Sequence, residues 1–293
     1  MIREKKIKSG RLLEVEFYPV LSDGRQLARS PKQKRSSEAQ AAYNKKQQRK
    51  KVVRLVNANF DKSDVLMTLT LIPDDDGGEK QAKKKIVNFL RRVKRYREKK
   101  VKEWTELLKL KPGNKKVKEN LKKASEPLKY IYAVESGTYQ RGKKKGMRRY
   151  HFHLFLTGCG EGDRDAYESL WDGRTNADRY RPETFGPEAA AKYLTKQHKV
   201  DEDGGTVKSQ GYVCSRNLKR PEERTKDGKV SEHKLDLMAR KRVSDAEYWE
   251  RRYKGYKFIR CYARWNEYNA RWYVSVVMYR ADGDAPPWSI DDW

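Results

Sequence analysis

Short apolar runs of strand length constrain the fold of this chain more than any other feature of its sequence. Three runs, at residues 64–72, 129–136 and 150–157, are rich in β-branched and aromatic residues and therefore predict strands. The second and third are joined by the basic segment GTYQRGKKKGMRR, which predicts an antiparallel pair with a long connecting loop. Two further runs, at 254–265 and 270–280, predict a C-terminal hairpin.

Helical periodicity is clearest from about residue 80. Apolar residues recur there every three or four positions, as Ile86, Phe89, Leu90, Val93 and Tyr96. The pattern can continue to about residue 110, because Pro112 and Gly113 follow and end a helix. Shorter helices are predicted at about 164–170 and 187–199.

The remaining segments are more polar. Residues 11–20 predict one strand, and the basic, Gln/Ser-rich stretch 24–54 predicts an arm that ends in a helix running toward Asn57. The lysine-rich segment 113–126 is predicted to be an exposed excursion, and 200–229 is predicted to be rich in loops.

These elements predict an α/β (α+β) fold with a central, mainly antiparallel sheet flanked by helices. The predicted organisation has three parts. Residues 1–55 form a strand and a basic arm, 56–280 form one principal domain, and 281–293 form an acidic and aromatic tail.

The charge of the chain points to a polyanionic partner. It has 69 Lys and Arg against 41 Asp and Glu, a formal net charge of +28 spread along the sequence. Nucleic acid is the expected partner, because neutralised phosphates release counterions. A membrane is not expected, since neither an amphipathic anchor nor a long apolar run is present. Without a signal peptide or a CxxC pair, the expected location is the cytoplasm.

Two of the four histidines lie in one predicted strand, as His151 and His153. Residues two apart on a strand share a face, so both imidazoles point to one side while Phe152 turns to the core. Such a pair can chelate a divalent metal, and Glu135 in the neighbouring strand is the best-placed third ligand. The simpler alternative is an alternating strand with two polar positions. A structural zinc site with Cys159 is a weaker one, because CxxC and HEXXH spacings are missing.

A second pair, Tyr193 and Lys196, shares one face of a predicted helix. A tyrosine hydroxyl can attack a metal-polarised phosphodiester, and a lysine one turn away can stabilise the charge that develops. Alone, a YxxK helix is usually an amphipathic surface, so the pair gains weight only by following the histidine strand in a basic chain.

Together these motifs resemble the HUH endonucleases, in the arrangement of rolling-circle replication initiators of plasmids and phages. VLMTLTL at 65–71 resembles the first motif, HFHLFL at 151–156 the metal motif, and YLTK at 193–196 the tyrosine motif. The tyrosine follows the histidines, as in replication initiators. Glu135 lies where many members place an acidic ligand.

The resemblance implies nicking of single-stranded or extruded DNA at a replication origin. Tyr193 would take the 5′-phosphate and leave a 3′-OH primer, assisted by Lys196 and by Mg²⁺ or Mn²⁺ held by His151, His153 and Glu135. Gln197 stands where some members have a second tyrosine, so rejoining needs a second protomer or another nucleophile. Because no GxxxxGK[ST] loop is present, a host helicase would unwind the DNA.

Basic residues near these motifs are the predicted DNA contacts. They are Arg141, Lys143, Lys144, Lys145, Arg148 and Arg149 before the histidine strand, and Arg216, Asn217 and Lys219 after the tyrosine motif. Tyr139, Tyr150 and Trp171 can be read as base-stacking residues or as core.

Two other functions compete with the replication initiator. An HUH-type transposase would keep the chemistry and change its biological role. A non-enzymatic nucleic-acid-binding protein would explain the charge but leave the histidine, glutamate and tyrosine motifs as coincidence.

Overall fold

The computed structural model describes residues 1–20, 38–71, 78–138, 141, 146–181, 194, 211–267 and 269–280. In chain order, their elements are β1 (Ile2–Ser9), β2 (Leu12–Pro19), α1 (Glu38–Asn59), β3 (Val65–Leu71), α2 (Gly78–Leu110), α3 (Lys115–Ser125), β4 (Tyr130–Thr138), β5 (Arg148–Leu156), α4 (Asp163–Ser169), β6 (Gly173–Arg179), β7 (Val213–Cys214), β8 (Glu222–Val230), α5 (Glu232–Lys241), α6 (Ala246–Arg252), β9 (Tyr256–Asn266) and β10 (Arg271–Arg280).

The strands form two antiparallel sheets, each in its own compact unit. The first unit comprises the described residues up to Ala58 and from Lys219 onward, and the second those from Asn59 to Leu218. The predicted α+β class, with antiparallel strands flanked by helices, is confirmed, with two five-stranded sheets instead of one. The region 56–280 contributes strands to each of the two sheets. Its last strand, β10, pairs with β2 near the N-terminus.

The first unit has the strand order β8-β1-β2-β10-β9. Alternating apolar residues of β2 and β10, such as Val15 and Val276, pack against Leu235 and Met238 of α5 and Trp249 of α6. This alternation gives the sheet one helix-covered core face, as period-2 patterning dictates.

The opposite face of the first sheet carries α1. Arg54 pairs with Glu14, and Lys50 Nζ lies 3.2 Å from Glu16 Oε1, which joins the helix to β2. At the β1–β2 turn, Gly10 has a φ of +59°, and a Cβ there would lie 2.1 Å from the carbonyl oxygen of Asn57. Only glycine allows this close approach of the turn to the end of α1.

The second unit has the strand order β6-β3-β5-β4-β7. One face of this sheet packs against α2, which matches the helix predicted from periodicity, and the core there includes Met67, Leu69, Phe152, Ile86 and Phe89. No helix in the described parts of the chain is both long and apolar enough to span a membrane.

Two sequence predictions are corrected. Residues 113–126 were predicted to be an exposed excursion, but they form α3, which buries Val117, Asn120 and Ala124. The described part of 200–229, predicted to be loops, contains β7 and most of β8. All residues of β8 except Val230 are exposed and most are charged, so apolar alternation is missing, and the strand exists through its pairing with β1.

Other predicted segments lie outside the described residues. They are the first part of the basic arm (24–37), the tail (281–293) and the predicted helix 187–199 apart from residue 194.

Arg97 of α2 joins three elements of the second unit through one buried guanidinium, which is 3% exposed. Its six acceptors lie at 2.6–3.3 Å and are the carbonyl oxygens of Lys123, Ala124, Glu126, Thr157 and Gly158 and the hydroxyl of Tyr167. Three of the carbonyls belong to the C-terminal end of α3, where the helix dipole favours a cation. The planar, five-donor guanidinium suits this set of acceptors.

Arg97→Lys is therefore expected to lower the free energy of unfolding by about 3 kcal/mol, because an ammonium cannot satisfy the separated carbonyls. Urea denaturation measures this change. The matched control is Arg95→Lys on the exposed side of the same helix, which is expected to change stability by less than about 0.5 kcal/mol. Equal effects of the two substitutions would contradict the role given to Arg97.

Candidate metal and phosphate site

The two histidines of β5 lie on the sheet face of the second unit that is opposite the α2 core. Phe152 and Leu154 of the same strand are fully buried in that core, so His151 and His153 point to the other side, as the alternation predicts. His153 is 6% exposed, and His151 is half-buried. The sequence prediction that the imidazoles share one face is confirmed.

Neighbouring strands bring three more polar side chains to the histidines. In the strand register, Thr70 and Glu135 lie directly opposite His151, and Thr68 lies opposite His153. Strand partners in register project to the same face. The result is a row of Thr70, His151 and Glu135 across three strands, with His153 and Thr68 in the next row.

Each imidazole contacts a threonine through the same ring nitrogen. Thr70 Oγ1 lies 2.8 Å from His151 Nδ1, and Thr68 Oγ1 lies 3.4 Å from His153 Nδ1. Hydrogen bonds at Nδ1 orient an imidazole and favour use of its Nε2 atom as a ligand. Neither threonine was predicted to be a site residue, although their spacing of two residues matches the spacing of the histidines.

Glu135 contacts His153, which lies diagonally across from it in the strand register. Its Oε2 atom lies 2.8 Å from His153 Nε2, although Glu135 is paired with His151 in the strand register. Two imidazole nitrogens and a carboxylate form a donor set that fits Mn²⁺ or Mg²⁺. Binding an ion at His153 Nε2 would open the Glu135–His153 contact.

Within the described residues, no three His, Cys, Asp or Glu side chains are already arranged as a metal-holding group. The side chain of Glu135 is 35% exposed, in contrast to the buried His153. Glu135 therefore has more room to turn than His153.

Cys159 does not join the histidines in the way that a structural zinc site requires. It is buried in the core on the α2 side of the sheet, and its backbone N–H donates to Asp163 Oδ2. Burial raises the pKa of the Cys159 thiol, so the thiolate that zinc requires is disfavoured.

Two arginines border the histidine face. Arg149 lies two residues before His151 on β5 and therefore points to the same side, and Arg174 of β6 is the strand partner of Thr70. Asn176 follows on β6 as the partner of Thr68. All three are exposed. Arg174 and Asn176 were missed because the polar sequence GRTNADR has no strand pattern.

The other predicted DNA contacts are spread over the chain. Arg141 is exposed and Arg148 belongs to β5, while Lys143, Lys144 and Lys145 lie outside the described residues. Arg216 and Asn217 follow β7. This strand pairs with Ile131 and Tyr132, which lie toward the N-terminal end of β4, away from Glu135. Lys219 is exposed but belongs to the first unit. The structure therefore brings only part of the predicted set to the histidine face.

The predicted nucleophile and its lysine, Tyr193 and Lys196, lie outside the described residues. Leu194, which is described, is helical and fully buried.

Two aromatic residues considered for base stacking are core residues. Tyr150 and Trp171 are each 7% exposed. Trp171 packs edge-on against Phe89 and Phe152 and donates its indole N–H to the carbonyl of Thr70. Tyr139 lies outside the described residues.

No protein-family model, curated protein or solved structure matches this chain.

Thr70→Val removes the hydroxyl at His151 Nδ1 with little change in shape. If this contact orients the imidazole for a metal, Mn²⁺ affinity is expected to fall about tenfold, measured by isothermal titration calorimetry. Thr175→Val is the matched control, because Thr175 pairs with Leu69 on the core side of the sheet. Unchanged affinity in Thr70→Val would rule out this orienting role.

Proposed function

We propose that the protein is a metal-dependent DNA-nicking and joining enzyme that initiates rolling-circle replication. The observation that carries the proposal is the gathering of His151, His153 and Glu135 on one sheet face, with a threonine hydroxyl at Nδ1 of each imidazole. A polar strand without a function does not require this combination of oriented imidazoles and a carboxylate. The proposal places the protein in the cytoplasm, with the replicon.

His151, His153 and Glu135 would hold Mg²⁺ or Mn²⁺, which when bound supplies Lewis-acid polarisation of the scissile phosphate. Arg149 and Arg174 flank the site and would hold the DNA backbone on either side of it by charge-assisted hydrogen bonds. The substrate that fits this role is single-stranded or extruded origin DNA.

The covalent step is assigned to Tyr193 from the sequence motif. Its phenolic oxygen would attack the phosphorus, the bond between phosphorus and the 3′-oxygen would break, and the proton would pass from the phenol to the leaving 3′-oxygen. Lys196 would stabilise the phenolate as it forms. The products are a 5′-phosphotyrosine and a free 3′-OH.

Joining reverses this step, because a 3′-OH attacks the phosphotyrosine and releases the tyrosine. With Gln197 in place of a second tyrosine, a second round of cleavage needs a second protomer or another nucleophile. Unwinding is assigned to a host helicase. A transposase of the same chemical class would act by the same residues.

The first test incubates the protein with Mn²⁺ and a pool of single-stranded oligonucleotides, followed by denaturing gel electrophoresis. Wild type is expected to give a protein–DNA adduct that disappears in Tyr193→Phe and falls at least about 100-fold in His151→Ala, because these changes remove the nucleophile and a metal ligand. Tyr256→Phe and His233→Ala serve as matched controls. An adduct that survives Tyr193→Phe would refute the covalent assignment. Retained DNA binding without cleavage, also on the cognate replicon's DNA, would favour the non-enzymatic binding protein.

A second test concerns the arginine that sequence reasoning missed. Arg174→Ala is expected to lower the rate of adduct formation about tenfold at limiting DNA, through the loss of a phosphate contact. The difference should shrink with rising salt concentration. Arg164→Ala is the control, since it lies on the exposed surface of α4. Equal rates in the two variants would remove Arg174 from the site.

A further inference from the structure

The outer face of β9 and β10 in the first unit carries an exposed aromatic ring between two arginines. On β9, Cys261 faces the α5–α6 core, so Arg260, Tyr262 and Arg264 lie on the opposite side. Tyr262 is 58% exposed. Its ring is near the guanidinium of Arg260, whose Cζ lies 5.4 Å from the ring centroid.

The strand next to β9 extends this surface. Ser275 of β10 is the partner of Tyr262, and Tyr273 is the partner of Arg264. The Tyr262 face is defined here as Arg260, Tyr262 and Arg264 of β9 with Tyr273 and Ser275 of β10. It combines two cations with two aromatic side chains on neighbouring strands.

The acidic residues of β2 on the same side of the sheet are paired with α1. Glu16 is the β2 partner of Ser275, and it contacts Lys50 and Arg54, while Glu14 contacts Arg54. These two carboxylates are therefore already paired with basic residues of α1. The charge of the Tyr262 face complements a polyanion.

We propose that the Tyr262 face binds single-stranded DNA, with one base stacked on Tyr262 and adjacent phosphates held by Arg264 and Arg260. Stacking on an aromatic side chain requires an unpaired base, which favours a single strand over a duplex. The arginines on either side of Tyr262 are about 13 Å apart along the strand and lie on one face, so they can follow a backbone running along β9. This would be a second DNA-binding surface, separate from the histidine face.

The choice of DNA over RNA rests on the proposed function, but the surface itself does not depend on nicking chemistry. Within the described residues, β9 is an edge strand. A second copy of the chain is therefore the competing occupant, through strand pairing at this edge.

The test measures binding of a fluorescent oligo(dT) of about 20 nucleotides by anisotropy, with EDTA present so that no metal-dependent cleavage occurs. Tyr262→Ala is expected to raise the Kd about tenfold with an unchanged salt dependence, because stacking carries no charge. Tyr262→Phe should retain wild-type affinity. Arg264→Ala should lower the slope of log Kd against log salt concentration by about 0.7, through the loss of one phosphate contact. Arg251→Ala on α6, which packs on the other side of the sheet, is the charge-matched control.

Three outcomes would overturn the proposal. Tyr262→Ala and Arg264→Ala could bind oligo(dT) with the same Kd and salt dependence as the Arg251→Ala control. Oligo(rU) could bind more tightly than oligo(dT) with the same dependence on Tyr262, which would make RNA the ligand. Sedimentation could show a dimer that Tyr262→Ala dissociates, which would make the face a contact between copies. Circular dichroism melting checks that each variant is folded.

The failure of this proposal can be distinguished from failure of the nicking proposal. Tyr193→Phe, which removes the proposed nucleophile, should bind oligo(dT) in EDTA with wild-type affinity. Tyr262→Ala should still form the covalent adduct with Mn²⁺ when the oligonucleotide is saturating.

Discussion

The strand register of β3, β5 and β4 is the constraint on which the candidate site depends. It places Thr70, His151 and Glu135 in one row and Thr68 beside His153. Because side chains alternate between faces, a shift of one residue would turn both histidines into the core. The burial of Phe152 against α2 opposes such a shift, so the hydrophobic core fixes the positions of the polar residues on the other side.

The two histidines and the carboxylate differ in their contacts and in their exposure. Both imidazoles belong to the central strand of the sheet, and each meets a threonine on β3. Glu135 is more exposed than His153, and its Oε2 atom lies 2.8 Å from His153 Nε2. If these side chains hold a metal as proposed, two nitrogen ligands would be positioned in advance and the oxygen ligand would adapt, which suits hard divalent ions that tolerate several carboxylate geometries.

Sequence reasoning succeeded where the determining pattern is local. The period of two in β5 and the helical period of α2 are both properties of consecutive residues, and both were predicted. The pairing of β10 with β2 joins residues about 260 positions apart in sequence, and no local pattern specifies it. Likewise, β8 and β6 are strands because a neighbouring strand supplies their hydrogen bonds, so the position of Arg174 beside Thr70 could not be predicted from its own segment.

The high net charge makes DNA binding by itself a weak indicator of function. A chain with a formal charge of +28 attracts any polyanion at low salt. Selectivity must therefore come from short-range interactions that a diffuse positive field cannot supply. Oriented imidazoles beside a carboxylate can select a metal and a phosphate, and an exposed ring such as that of Tyr262 can select an unpaired base. Under both proposals, selectivity consequently lies in a few uncharged or acidic positions, and the neighbouring arginines add affinity for phosphate.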